Sequence, residues 1–175
     1  LVIAVITSLS AQNGVLIRNR TSFENARTVD MVVFDKTGTL TEGQFGVTDV
    51  VSSGDWSEDA VLANAAAVEQ HSEHIVARGI VEAANEKDVQ VDQAREFDAL
   101  PGKGASASVD GKKLYVGSRD IAAAAEADLG EAETTMQEVA AGGKTVVFVI
   151  ADGRVQGLIG LADRIRAESQ EAIRR

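Results

Sequence analysis

The feature that most constrains this chain is a short apolar run that ends on an acid. Val29-Asp30-Met31-Val32-Val33-Phe34 stops at Asp35, and a polar turn, Lys36-Thr37-Gly38-Thr39, follows at once. A nearly continuous run of this length predicts a strand buried on both faces, as in a parallel sheet. Open α/β sheets bind their ligands just beyond the carboxyl ends of such strands, which is where Asp35 falls. Around it stand a cation at Lys36, hydroxyls at Thr37, Thr39 and Thr41, and the backbone donors near Gly38. A carboxylate nucleophile, a cation and hydrogen-bond donors are what a phosphate-handling site needs.

The remaining sequence has to build a body around that segment. With 175 residues, 45% of them apolar, the chain can bury a core for one domain or two small ones. It contains no cysteine, so neither a disulfide framework nor a thiolate metal site can form. A formal charge of -10 with no basic run argues against a nucleic-acid partner. The same charge repels a nucleotide, so a nucleotide site here needs local cations or Mg²⁺. The opening run, Leu1 to Ile6, covers about a third of the roughly 20 residues that a membrane span requires. Followed by Arg18 and Arg20, it reads as the inner end of a helix cut within or near a membrane. An amphipathic or buried helix is the alternative.

Further along, Val47 to Val51 predicts a short strand or hinge. Ser57 is a good N-cap for a helix ending about Gln70, with Glu58 and Asp59 in its first turn. A second helix is expected from Glu73 to about Lys87. The period then shifts towards two over Ala94 to Leu100, Ala105 to Val109 and Lys112 to Val116, with Asp110-Gly111 as a hairpin turn. Ser118 is placed to cap a short alanine-rich helix, and another runs from Glu131 to Ala141, stopped by Gly142-Gly143. Thr145 to Ala151, Asp152-Gly153 and Arg154 to Leu161 predict a second hairpin. The P-loop suggested by Gly142-Gly143-Lys144-Thr145 fails, because its first glycine would fall at Glu138.

The seven residues Asp35-Lys36-Thr37-Gly38-Thr39-Leu40-Thr41 resemble, position for position, the phosphorylation motif of the P-type ATPases. Val68-Glu69-Gln70-His71-Ser72-Glu73-His74 is similar to a nucleotide-binding segment of the heavy-metal-transporting branch, with Ile75 where that branch has proline. Pro101-Gly102-Lys103-Gly104 fits the branch's Gly-x-Gly, whereas Val116-Gly117-Ser118 replaces a Val-Gly-Asn. Gly157 to Arg166 looks like the family's hinge back into the phosphorylation domain. Asn13 to Arg18 resembles its link from the last core membrane helix, so the likeness covers essentially the whole chain.

The resemblance implies an α/β fold: an incomplete, haloacid-dehalogenase-like (Rossmann-like) phosphorylation domain with an inserted α+β nucleotide-binding domain of antiparallel sheet and flanking helices. It implies 1–22 as the end of a membrane helix and linker, and 23–47 as the first part of the phosphorylation domain. Residues 48–160 become the nucleotide-binding domain and 161–175 the start of the second phosphorylation part. Asp35 would attack the γ-phosphate of ATP, with Lys36 neutralising charge and Mg²⁺ held by the Asp35 carboxylate and the Thr37 carbonyl. Glu69, His74, Gly102 and Gly104 would receive the adenine, and Asp163 and Arg166 would approach the nucleotide. Thr37 stands where related phosphatases carry an acid that hastens hydrolysis, so the aspartyl-phosphate should persist. The implied function is ATP-driven export of copper or silver, with the transported ion bound outside this stretch and the membrane reached through further helices. The chain would lie on the cytoplasmic side. A soluble phosphatase with a large cap, a regulatory nucleotide-binding module and a pump for another cation such as potassium stay open as alternatives. His71 and His74, three apart, are a weak candidate metal pair.

Overall fold

Alternating side chains along residues Thr145–Ala151 divide the principal core in two. In the computed structural model, which describes residues 2–174, Val147, Val149 and Ala151 join one buried cluster with Val61, Leu62, Ala65, Val68 and Ile80. Phe148 and Ile150 join another with Ile121, Ala122 and Leu158. A strand whose two faces are both apolar and both buried belongs inside a sheet covered on each side.

The sheet has six antiparallel strands: β1 (Thr41–Ser52), β2 (Arg95–Leu100), β3 (Gly104–Val109), β4 (Lys112–Gly117), β5 (Thr145–Ala151) and β6 (Arg154–Ile165). Their spatial order is β1-β6-β5-β4-β3-β2. The turns at Asp110-Gly111 and Asp152-Gly153 carry positive φ at both residues, 50° and 76° in the first and 51° and 70° in the second, as a tight hairpin demands. One face is covered by two helices, Glu58–Glu69 and Ile75–Glu86, whose apolar residues fill the first cluster. Two shorter helices, Ile121–Ala124 and Ala132–Ala140, contribute to the second.

In chain order, α1 is Val2–Gln12, α2 Arg20–Asn25, α3 Glu58–Glu69, α4 Ile75–Glu86, α5 Ile121–Ala124, α6 Ala132–Ala140 and α7 Ser169–Arg174. The chain divides into two compact units, Leu1–Asp35 and Lys36–Arg175. In the first, α1 ends where Asn13 Nδ2 donates to Leu9 O at 2.8 Å and Gly14 takes φ 77°. There α2 is capped by Asn19, whose side chain accepts from Ser22 N at 3.0 Å. Leu1, where the opening apolar run begins, and Arg175, the last residue of the expected fourth segment, lie outside the described residues. No described helix is long and apolar enough to cross a membrane.

Several expectations need correction. Residues 29–35 form no strand, and Met31, Val32 and Val33 are exposed. A strand exists only through hydrogen bonds to a neighbour, and among the described residues this segment has none. The strand expected over Val47 to Val51 is longer, because a bulge between Thr41 and Phe45 lets β1 carry Glu42-Gly43-Gln44 and stay paired to β6. Likewise β6 continues through Asp163 to Ile165. The helix expected from Glu73 starts at Ile75, because His74 caps it: Nδ1 accepts from Val76 N at 3.3 Å. Ile75 thus occupies the first helical position, the one that tolerates proline best. Ser118 gives no side-chain cap to α5; its carbonyl, at 2.9 Å, accepts from Ile121 N instead.

Candidate functional site

Five loop and element ends converge on one cavity of about 360 Å³. Glu69 reaches it from the last turn of α3, and His74 from the start of α4. Gly102 and Gly104 come from the β2–β3 turn, Gly117 and Ser118 from the end of β4, and Thr145 from the start of β5. The structure therefore brings together Glu69, His74, Gly102 and Gly104, which the sequence separates by up to 35 positions.

The two glycines serve different needs. Gly104, at φ 146°, lies so close to β4 that a Cβ would stand 2.1 Å from the Val116 carbonyl oxygen. Packing alone requires glycine there. Gly102 has φ 73° and nothing within 4 Å of where a Cβ would project. Its left-handed conformation favours glycine, and the bare backbone beside open space offers a flat surface for a planar ligand.

Glu69 is 7% exposed, an unusual position for a carboxylate. Desolvation pushes its carboxyl up to about 7, and a hydrogen bond from Ser72 offsets this only in part. Glu69 and Ser72 also line a neighbouring cavity of about 520 Å³, which Phe45 and Arg78 help to enclose, so this carboxyl stands in the wall between two hollows. The Nδ1 of His74 is occupied as a helix cap, which leaves Nε2 to carry the ring proton. His71 instead packs edge-on against Phe97, with centroids 6.0 Å apart. Among the described residues no group of three or more His, Asp or Glu side chains could hold a metal ion.

Asp163 and Arg166 do not line the 360 Å³ cavity. They bind the loop that begins the second unit. Thr37 (φ -78°, ψ 121°) and Gly38 (φ 79°, ψ -10°) take the central conformations of a type II turn, which only a glycine enters easily at its second position. The Thr41 hydroxyl ties this turn together, 3.0 Å from Lys36 O and 3.2 Å from Gly38 N, and it lies 2.5 Å from Asp163 Oδ2. Arg166 donates from Nε to Thr41 O at 3.0 Å and from Nη2 to Gly38 O at 3.4 Å. Asp163 Oδ1 is buried without a hydrogen-bond partner. Lys144 is likewise accounted for structurally: it donates to Asp49 at 2.6 Å, holding that carboxyl below its usual range, with Thr48 assisting.

Asp35 closes the first unit and Lys36 opens the second; Asp35, Lys36 and Thr37 are all exposed. The donor types suit a hard divalent cation, since Asp35 offers a carboxylate and Thr37 a carbonyl, both oxygen ligands of the kind Mg²⁺ takes. The sequence alone pointed to no part for Ser72, Thr145 or the Lys103 side chain, and it pointed to the Thr41 hydroxyl as a phosphate donor, whereas the structure ties that hydroxyl into the turn. A lysine between two glycines and a threonine closing a turn were visible signals, but their partners are set by tertiary structure.

The haloacid dehalogenase-like hydrolase family model matches residues 29–175. The chain is 47% identical over 174 residues to the copper-exporting P-type ATPase B of Archaeoglobus fulgidus, covering 99% of this chain and 24% of that one. It is 35% identical over 168 residues to the silver exporting P-type ATPase of Salmonella typhimurium, covering 94% of this chain and 20% of that one. Among solved structures, a zinc-transporting PIB-type ATPase in its E2.Pi state superposes with a TM-score of 0.86 at 33% identity, over 96% of this chain and 27% of that one. The N-domain of HMA8, a copper-transporting P-type ATPase, matches with a TM-score of 0.59 at 30% identity, over 67% of this chain and 99% of that domain. The chain thus spans a quarter or less of the length of these curated relatives.

Proposed function

The chain belongs to the haloacid dehalogenase-like hydrolases, and on that premise we propose that it is the ATP-binding and phosphorylated part of a heavy-metal-exporting P-type ATPase. The observation that carries the reading is the convergence of Glu69, His74, Gly102 and Gly104 on one cavity. Adenine would lie against the exposed Gly102 backbone, its exocyclic amine donating to the Glu69 carboxylate and its ring meeting the His74 imidazole. The four-part division at 22, 47 and 160 belongs to this proposal, as does a place on the cytoplasmic side of a membrane.

In the reaction proposed, a carboxylate oxygen of Asp35 attacks the γ-phosphorus of ATP. A P–O bond to Asp35 forms, the bond to the β-phosphate oxygen breaks, and ADP leaves. Lys36 offsets charge on the transferring group, and Thr37 withholds the proton shuttle that would speed hydrolysis. Asp163 and Arg166 act by fixing the turn that carries Lys36 and Thr37, not by touching adenine. Mg²⁺, held by Asp35 and the Thr37 carbonyl, would supply positive charge at the phosphate. Copper or silver is the proposed cargo, a reading supported by the copper and silver exporters among the relatives, and the transported ion would bind outside this stretch.

Two measurements test this. Calorimetry on the 175-residue chain should show ATP binding that Glu69→Ala weakens by roughly ten- to a hundredfold, the loss of a charged hydrogen bond; unchanged binding rejects the adenine site. In the full-length protein, Asp35→Asn should abolish acid-stable, hydroxylamine-sensitive phosphate incorporation. Incorporation that survives assigns the nucleophile elsewhere.

A further inference from the structure

A nucleotide cavity in a chain of net charge -10 has to attract an anion against its own field. Fifteen residues line the cavity, and one of them, Lys103, is a lysine or arginine. Its backbone is fully engaged: the amide donates to Leu100 O at 2.9 Å and the carbonyl accepts from Ser118 N at 2.7 Å. The approach is so tight that a Cβ on Gly117 would lie 2.0 Å from the Lys103 carbonyl oxygen. The base of the side chain is thus fixed by these two bonds, at the edge of the β3–β4 pairing. Its ammonium, by contrast, makes no ion pair or hydrogen bond among the described residues, whereas Lys144, Arg119 and Arg164 are each paired with a carboxylate. Lys103 also lines an adjoining open hollow of about 560 Å³ that Arg119 helps to form, so it stands where the cavity leads outwards. Beside it, Ser118 Oγ is buried with no hydrogen-bond partner.

Resting on the nucleotide reading of this cavity, we propose that Lys103 selects phosphorylated nucleotides over bare nucleosides by holding the phosphate tail where it leaves the cavity, with the Ser118 hydroxyl as a second donor. Adenine recognition and tail recognition are then separate: Glu69, His74 and Gly102 serve the first, Lys103 and Ser118 the second. An ammonium on a flexible stem suits a tail that must later move to a nucleophile, because it attracts charge without fixing one geometry.

The test is a titration of adenosine, AMP, ADP and ATP by calorimetry against the wild-type chain, Lys103→Gln and Lys103→Arg. Lys103→Gln should weaken ATP about five- to tenfold at low salt, as expected for a partly exposed charge-assisted contact. It should leave adenosine within about twofold, and the ATP effect should shrink as salt is raised. Lys103→Arg should retain most of the ATP affinity. Equal losses for adenosine and ATP would make Lys103 a structural residue of the turn, and an unchanged ATP affinity would remove it from recognition; either result overturns the proposal while nucleotide binding stands. A wild-type chain that binds neither ligand would reject the nucleotide reading itself, and this proposal with it.

Discussion

The tripeptide Val-Val-Phe occurs twice in this chain and meets two fates. At Val32-Val33-Phe34 the side chains are 66%, 85% and 43% exposed, and the backbone is neither helix nor strand. At Val146-Val147-Phe148 the same residues sit in β5 between β4 and β6, with Val147 5% and Phe148 0% exposed. Local sequence gives both segments the same β-branched, apolar character. Only the second is paired: all three residues lie against β6, Phe148 also against β4, and helices cover each face. Intrinsic strand preference is thus a measure of fit to a pleated surface, which must already be there.

Truncating the two phenylalanines is the most forceful way to break that comparison. Phe148→Ala should cost about 3–5 kcal/mol in urea unfolding, the range for a buried aromatic, whereas Phe34→Ala should change stability by less than about 0.5 kcal/mol. Similar losses at both sites would mean that residues 32–34 are packed in solution.

Glu69 sharpens the comparison from the opposite side, since it shows what burial costs when the buried group is an acid. Folding raises its pKa from 4.5 to about 7, so between those values the folded state holds a proton that the unfolded state has released. Stability should therefore fall as pH rises from about 4.5 to 7 and then level off, by on the order of 3 kcal/mol from this group. Glu69→Gln should remove that slope and be the more stable protein at pH 8. Parallel pH profiles for the two proteins would show that the carboxyl is hydrated after all.

The smallest effects separate the two site glycines. Gly104→Ala drives a Cβ into the Val116 carbonyl and should cost roughly 2–3 kcal/mol by overpacking. Gly102→Ala meets open space and should cost only about 1 kcal/mol, for the left-handed backbone. On the adenine reading it should nevertheless weaken ATP binding measurably. Equal stability losses would contradict the packing difference between the two positions.

Much of the fold could be read where residue chemistry forces backbone geometry. Asp110-Gly111 and Asp152-Gly153 accept positive φ at both positions, and Ser57 accepts from Ala60 N at 3.2 Å as a serine cap should. Elements whose form depends on distant partners were harder to read. The bulge that lengthens β1 answers to β6, and the cap on α4 uses a histidine, outside the usual Ser, Thr, Asp and Asn set. The candidate site divides in the same way. Glu69, His74, Gly102 and Gly104 were legible through their motif, but the contact of Asp163 with Thr41 spans 122 positions and left no local trace. Nor does sequence spacing distinguish a glycine needed for packing from one that leaves a surface bare.

The Thr41, Asp163 and Arg166 junction has a mechanical consequence. Since β1 begins and β6 ends within these few residues, and both strands run for 12 residues, the turn carrying Lys36 and Thr37 hangs from a paired strip. A load on that turn passes into the hydrogen-bonded pairing of β1 with β6, first at Thr41 and Ile165 and then, past the bulge, from Phe45 onwards. Bending it out of line means flexing both strands together.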